Sequence, residues 1–227
     1  MISHAVQDYL KAIYELEEDH GRVGTSALAA ALNVSPASVT GMLQKLAVKT
    51  AETPKLVDYA RHQGVTLSPA GRQIALEIIR HHRLLELYLA EALGYRWDEV
   101  DAEAEKLEHV ISEDFEDRIC ALLGDPTRDP HGNPIPSKAG EVPPQSRTTL
   151  SQVNAGQSAR VARVRDDDPA LLRYLAELGL VLDANVTVAG RAPFDGPLHV
   201  RVSGGPATPH ALSTHVTDQI FVEIEEN

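Results

Sequence analysis

The chain of 227 residues exceeds the roughly 150 residues of a typical single domain, so two domains and a small third are expected. Its 43% hydrophobic and 24% charged residues exclude a collagen-like or wholly disordered chain, and a net charge of -12 taken alone argues against a nucleic-acid partner. The apolar runs are shorter than the ~20 residues that cross a bilayer, and the first residues carry acids where a signal peptide has an apolar core. We therefore expect a cytoplasmic protein with no membrane partner. A single cysteine, Cys120, excludes an internal disulfide and a zinc finger, so any metal site must use oxygen and nitrogen ligands.

A winged helix-turn-helix is predicted for residues 1–72. A helix over 4–18 and a short helix ending near Leu32 precede the pair Ser35 and Pro36, which is a strong helix start. The helix that begins there is expected to run to about residue 49, and two short β-like runs follow it at a spacing that suits a hairpin. This order of elements is typical of a DNA-binding domain.

The third helix of this domain presents small and polar side chains, as a helix that enters the major groove must. Residues 33–72 also hold five basic and two acidic side chains, which is a local positive excess in an acidic chain. A winged helix that binds protein instead is the alternative, and the charge distribution favours DNA. Hydroxyl and amide groups can form hydrogen bonds with bases or phosphates, and basic side chains can contact the DNA backbone. DNA contacts are therefore expected from Ser35, Pro36, Ala37, Ser38, Thr40, Gln44, Lys45 and Arg61.

The rest of the chain divides into three predicted parts. Two long amphipathic helices, over 68–93 and 98–123, are enough for a helical dimerisation domain at 73–123, although they could equally bury against their own chain. Six prolines without a helical or strand period indicate that 124–147 is a linker or a segment docked in extended form. Residues 148–227 alternate apolar and polar side chains in short runs around one helix, which favours a small β-barrel. The predicted fold is therefore mainly α with a small β part.

Acidic and imidazole side chains in the helical part form a pattern that suits a metal. Residues 98–117 contain ten carboxylates and one base. Residues spaced by three and four positions lie on the same face of a helix. Carboxylates crowded on one face repel each other and lose hydration, and a divalent cation bound between them relieves this electrostatic cost. For any single residue a solvated acidic face is the better reading. A metal is favoured for five residues taken together, which are His82, Glu86, Glu105, Glu108 and His109.

At these residues the sequence resembles the metal-dependent repressors typified by the diphtheria toxin repressor. The resemblance covers nearly the whole chain, and it is weaker in the last third, which is similar to an SH3-like or FeoA-like domain. It implies a homodimeric, metal-activated transcriptional regulator. The segments that carry it are DYLKAIYELEE at 8–18, SPASVTGMLQKL at 35–46, HRLLE at 82–86, EKLEHVISED at 105–114, GNPIP at 132–136 and ELGL at 177–180.

The resemblance also implies two metal sites. The ancillary one falls on His82, Glu86 and Asp101, with Asp168 as a further ligand from the barrel, and the primary one on Asp8, Glu105, Glu108 and His109. Asp8 and Glu105 stand where iron-responsive members have methionine and cysteine, as in the manganese-responsive branch. Lys11 stands where members of that branch can have a liganding acid, so Fe²⁺ is kept beside Mn²⁺ as the expected cofactor. Other divalent transition metals are expected to substitute in vitro.

The predicted function is a divalent-metal-dependent regulator of manganese or iron homeostasis genes that binds double-stranded operator DNA as a homodimer and takes no small organic substrate. One alternative is a winged-helix regulator that senses a small organic ligand. A metal-dependent hydrolase is more remote, because the sequence has no nucleophile elbow, phosphate loop or HExxH motif. The chain is therefore not expected to be an enzyme.

Overall fold

The structure is a computed structural model that describes residues 2–50, 54–165 and 168–225. It divides the chain into two compact units, with a boundary inside one long helix after His81. The first unit contains residues 1–81 together with 108–111 and 136–141, and the second contains the remaining residues. Each unit is described separately below.

The first unit contains the predicted winged helix-turn-helix. Three helices, α1 (His4–His20), α2 (Thr25–Ala31) and α3 (Pro36–Leu46), precede an antiparallel hairpin of β1 (Val57–Ala60) and β2 (Gly64–Leu67). Ser35 starts α3 as predicted, because its hydroxyl oxygen accepts the N–H of Ser38. The helices bury one common apolar core, whose fully buried side chains include Leu10, Ile13, Leu28, Val39 and Leu43.

Three further helices follow: α4 (Pro69–Leu93), α5 (Val100–Leu107) and α6 (Glu113–Leu122). The prediction of one helix over 98–123 is therefore wrong. The hydroxyl of Ser112 accepts the N–H of Phe115 and caps α6, so a new helix begins after a turn at 108–112. This break places Glu108 and His109 in a turn beyond the end of α5.

The C-terminal part is a five-stranded antiparallel sheet with one helix of more than two turns, and it agrees with the predicted small β-domain. The sheet order is β6-β5-β4-β3-β7. Sixteen buried side chains, among them Val161, Leu175 and Val200, form its core. The sequence pattern did not reveal β6. The elements are β3 (Ser158–Val164), α7 (Pro169–Glu177), β4 (Asn185–Arg191), β5 (Leu198–Val202), β6 (His210–Leu212), α8 (Thr214–Thr217) and β7 (Ile220–Ile224), preceded by a 3₁₀ turn at Leu150–Gln152.

Part of the proline-rich segment is packed within the second unit. Its residues Asp129 and His131 are almost completely buried, and the carbonyl oxygen of His131 accepts the N–H of Val164 on β3 at 2.9 Å. Gly132 has φ +89°, and a Cβ there would lie 2.2 Å from the carbonyl oxygen of Ala162. Glycine therefore allows this segment to approach the strand closely.

No single helix in the described ranges is long and apolar enough to cross a membrane. The bent pair of α2 and α3 reaches that threshold together, by length and composition alone.

Candidate metal centre and nucleic-acid interface

Three of the predicted primary ligands meet in the first unit. Asp8 comes from α1, and Glu108 and His109 come from the turn after α5. One donor atom from each lies within 4.8 Å of the others. The Nε2 of His109 is 2.8 Å from Oδ1 of Asp8 and 3.5 Å from Oε1 of Glu108, whose side chain is fully buried. The turn thus brings an imidazole and two carboxylates to one point.

The tautomer of His109 tests whether this donor set fits a cation. Its Nδ1 lies 3.0 Å from Oε1 of Gln7, and an amide oxygen only accepts, so with this amide orientation Nδ1 carries the proton. In the neutral ring the Nε2 lone pair then faces the carboxylate of Asp8. A contact of 2.8 Å between these two atoms needs a positive charge between the nitrogen and the oxygen, which either a proton on Nε2 or a bound cation supplies. Carboxylate and imidazole donors without a thiolate suit Mn²⁺ and Fe²⁺, so the residues fit the expected cofactor.

Lys11 brings a positive charge to the same cluster. Its Nζ lies 2.7 Å from Oε2 of Glu108, and the two side chains are 12% and 0% exposed. The pair is therefore buried, and Glu108 has one oxygen toward Lys11 and the other toward His109. The ring of His4 stacks on that of His109 with centroids 4.8 Å apart, which covers the imidazole.

The predicted ancillary ligands meet in the second unit. The Nε2 of His82 lies 3.6 Å from Oε1 of Glu86 and 3.4 Å from Oδ1 of Asp101. Glu86 is fully buried, and neither of its carboxylate oxygens accepts a hydrogen bond from any described residue. Burial by itself raises the pKa of Glu86, but the charges of His82 and His131 outweigh it and leave this pKa below its ordinary value. A buried, ionised carboxylate of this kind fits a cation site.

Sequence reasoning missed His131 and Asp129, which lie beside Glu86. The Nε2 of His131 is 2.6 Å from the carbonyl oxygen of Trp97, so it must donate, and the remaining Nδ1 faces Oε1 of Glu86 at 3.5 Å. One donor atom from each of Glu86, Asp129 and His131 also lies within 4.8 Å of the others, so the three could hold one metal ion. The oxygens of Asp129 already accept the N–H groups of His131 and Asn133. A histidine two residues after an acid, in a segment with no other imidazole, was the available signal.

The two remaining predicted ligands are Glu105 and Asp168. Glu105 lies on α5 in the second unit, where its side chain is 52% exposed and its Oε2 is 3.8 Å from Nδ1 of His82. Asp168 is the N-cap of α7, because its Oδ1 accepts the N–H of Ala170 at 2.8 Å. The cap accounts for the position of Asp168 without a metal.

The residues predicted to contact DNA lie in the first unit. All are exposed except Thr40, which is half-buried and donates its hydroxyl proton to the carbonyl oxygen of Pro36. Gln44 and Lys45 occupy the last turns of α3, and Arg61 lies in the hairpin turn. A groove of about 670 Å³ lies between α3 and the hairpin, and Thr40, Gln44 and Arg61 line it.

Comparison with known families matches three successive regions of the chain. The model for the N-terminal DNA-binding domain of iron-dependent repressors matches residues 1–65. The model for the metal-binding and dimerisation domain of the same proteins matches residues 68–137. The FeoA domain matches residues 148–224.

Individual relatives match over almost their whole length. The iron-dependent repressor IdeR of Mycobacterium leprae is 33% identical over 221 residues, which are 90% of this chain and 94% of the relative. The solved structure of a manganese-dependent transcriptional repressor in complex with manganese has a TM-score of 0.87 and 40% identity, covering 97% of this chain and 100% of that one. The structure of ScaR with bound Cd²⁺ has a TM-score of 0.79 and 33% identity, covering 96% and 98%.

Proposed function

The chain belongs to the iron-dependent repressor family and is a metal-dependent, DNA-binding transcriptional regulator with Mn²⁺ or Fe²⁺ as cofactor, and we propose how its own residues perform that function. The family consists of transcriptional repressors and not of enzymes, which agrees with the expectation from the sequence. A regulator that senses a small organic ligand is correspondingly disfavoured.

The primary metal site that we propose consists of Asp8, Glu105, Glu108 and His109. The observation that carries it is the 2.8 Å contact between the carboxylate of Asp8 and the Nε2 of His109, beside the fully buried carboxylate of Glu108. Glu105 lies near the end of α5, three residues before Glu108, which lies in the turn that follows the helix. We include it as the fourth donor on that spacing.

The second proposed site centres on Glu86, with His82 and Asp101 as in the sequence prediction. The fully buried carboxylate of Glu86, with Nε2 of His82 at 3.6 Å, supports a cation there, and the Nδ1 of His131 at 3.5 Å adds an imidazole that the sequence prediction lacked. Asp129 serves mainly to shape the turn that presents His131, because it accepts the N–H of that residue. Asp168 is the weakest candidate, because its carboxylate caps α7.

The proposed mechanism couples the primary site to the winged helix through α1. A bound divalent cation supplies positive charge that anionic side chains from separate elements share. Asp8 lies on α1, and the other end of α1 is tied to the hairpin and to the start of α4, since Glu17 accepts the N–H of Leu67 on β2 and pairs with Arg72 at 2.7 Å. Holding Asp8 against Glu108 and His109 therefore restricts the orientation of the recognition helix.

We propose that the regulator binds operator DNA as a homodimer. Two recognition helices must suit half-sites about one DNA turn apart, so restricting their orientation raises DNA affinity. Phe115 and Leu122 on α6 are 41% and 68% exposed, and the ring of Tyr88 packs edge-on against Phe115. Exposed apolar side chains on a helix of the family's dimerisation domain suit the contact between two copies.

The test of this proposal is a calorimetric Mn²⁺ titration of the protein and of two variants. Glu108→Gln removes the charge of the buried carboxylate, and we expect it to lower Mn²⁺ affinity by at least about tenfold, equivalent to ~1.4 kcal/mol. Glu103→Gln is the matched control, because Glu103 is an acid of α5 that pairs with Lys106 near the surface. Equal affinity of the Glu108→Gln variant and the unsubstituted protein would remove Glu108 from the site.

A further inference from the structure

Arg22, between α1 and α2, binds the turn of the wing hairpin. Its Nε donates to the carbonyl oxygen of Gln63 at 3.0 Å. Its Nη2 donates to the carbonyl oxygens of Asp58 and Gly64 at 3.2 and 3.1 Å. One guanidinium thus contacts three backbone carbonyls on both strands and the turn of the hairpin. A lysine cannot reproduce this fork, because its ammonium is a single point donor.

The hairpin is held beside Arg22 by a narrow backbone contact. Val23 and Val65 exchange two N–H to carbonyl bonds of 2.9 Å, so residue 23 acts as a third strand position. A Cβ on Gly64, which has φ +87°, would lie 2.6 Å from the carbonyl oxygen of Val23. Within the described part of the unit, this pair and the Arg22 fork join the hairpin turn to the segment before α2.

The groove between α3 and the hairpin has a charge opposite to that of the chain. Two arginines and a histidine, Arg22, Arg61 and His62, line it, and its described lining contains no carboxylate. Hydroxyl groups of Thr25, Ser26 and Thr40 line the same space. In a chain of net charge -12, a groove of this composition suits an anionic partner. The partner with the matching chemistry beside a recognition helix is the sugar–phosphate backbone.

We propose that this groove receives a DNA strand and that Arg22 is a positioning residue, which holds the hairpin so that Arg61 reaches the phosphates. The inference rests on the DNA-binding function proposed above. Both arginines are exposed, but Arg22 directs Nε and Nη2 to protein carbonyls, whereas Arg61 lies at the hairpin turn. Arg22 therefore acts through the hairpin, and Arg61 makes the electrostatic contact.

The experiment measures fluorescence anisotropy of a labelled mixed-sequence duplex with saturating Mn²⁺. The variants are Arg22→Gln, Arg22→Lys, Arg61→Gln and the double variant Arg22→Gln with Arg61→Gln. We expect both Arg22 substitutions to lower DNA affinity about three- to tenfold, as for lost hydrogen bonds of ordinary strength. In the Arg61→Gln background, Arg22→Gln should have little further effect, because the two residues then act as one unit. Arg191→Gln, which removes an exposed arginine bonded to the carbonyl oxygen of Ser151 in the other unit, controls for loss of charge.

Several outcomes would overturn the proposal. Full DNA affinity in Arg22→Lys would show that charge alone matters, and additive losses in the double variant would make Arg22 a direct phosphate contact. Hydrogen exchange of the Val65 amide in DNA-free protein gives a second readout, and the proposal requires faster exchange in both Arg22 variants. If the unsubstituted protein showed no Mn²⁺-dependent binding, the proposed function itself would fail. If that binding persisted and Arg22→Gln equalled it, only the role of Arg22 would fail.

Discussion

Replacement of Lys11 by methionine is expected to destabilise the metal-free protein and to strengthen its binding of Mn²⁺. The ammonium of Lys11 lies 2.7 Å from the carboxylate of Glu108, and the side chains are 12% and 0% exposed. Methionine keeps an unbranched chain of similar length but removes the charge. Glu108 would then be a buried carboxylate without its cationic neighbour.

The burial of this pair sets the size of the effect. Removing one partner of a buried ion pair costs about 3–5 kcal/mol, and the slight exposure of Lys11 places it near the lower figure. At about 2–4 °C per kcal/mol for a chain of this length, the melting temperature of the metal-free protein should fall by about 6–12 °C. A bound cation restores the missing positive charge, so the metal-loaded protein should lose much less. Linkage then requires Mn²⁺ to bind more tightly, by at least about fivefold.

Scanning calorimetry with and without Mn²⁺, together with Mn²⁺ titration, measures both effects. Lys106→Met is the matched control: Lys106 pairs with Glu103 at the same 2.7 Å, but the side chains are 67% and 33% exposed. Such a surface pair contributes about 0–1 kcal/mol at most, so neither stability nor Mn²⁺ affinity should change appreciably. Weaker Mn²⁺ binding by Lys11→Met would refute the reasoning, because Lys11 would then be required to hold Glu108 for the metal.

Five other substitutions test the remaining parts of the account. Asp8→Ala should leave partial Mn²⁺ binding but remove the enhancement of DNA affinity by metal in anisotropy titrations, and a retained enhancement would reject the bridging role. His82→Ala should mainly reduce the rise in melting temperature that Mn²⁺ produces, with a smaller loss of DNA affinity. A large loss of DNA affinity with an unchanged rise in melting temperature would exchange the roles of the two sites. Lys45→Ala or Arg61→Ala should weaken DNA binding and lower the salt slope by about one unit per lost phosphate contact, and an unchanged slope would take that residue out of the interface. Burial raises the pKa of Asp98, but the neighbouring Arg173 and Arg96 lower this pKa below its ordinary value. The ionised carboxylate therefore stabilises the fold above about pH 4, and this contribution is lost as the pH falls further. Asp98→Asn should therefore lower the melting temperature at neutral pH, and this effect should shrink as the pH is lowered below about 4, whereas equal destabilisation at every pH would contradict the assignment.

Local signals predicted the winged helix well and the helical part less well. Ser35 followed by Pro36 both caps and starts a helix, and α3 begins there. Leu107, Ile111 and Phe115 follow one another at steps of four, so apolar periodicity alone continues through the turn that separates α5 from α6. The cap at Ser112 was the local sign of that break. The domain boundaries inferred from the sequence stay a prediction.

The site was predictable where its residues follow a helical period and not where tertiary packing assembles it. Glu108 and His109 stood out by spacing, and the resemblance to the family added Asp8. His131 lies in a segment without a period, and its position beside Glu86 depends on the hydrogen bond between its carbonyl oxygen and Val164 on β3. Such a contact has no counterpart in the sequence pattern. Family, fold, function and cofactor class are confirmed, and the ligand assignments stay proposals until they are measured.

The most direct test of the central claim measures the coupling between metal and DNA from both sides. Mn²⁺ affinity is determined by calorimetry with and without DNA from upstream of the protein's own gene, and affinity for that DNA by anisotropy with and without Mn²⁺. Reciprocity requires that DNA raises Mn²⁺ affinity by the same factor by which Mn²⁺ raises DNA affinity. Typical couplings place this factor at about 5- to 150-fold. The account predicts this factor for the unsubstituted protein and a factor near one for Asp8→Ala. DNA affinity that saturating Mn²⁺ leaves unchanged in the unsubstituted protein would contradict it.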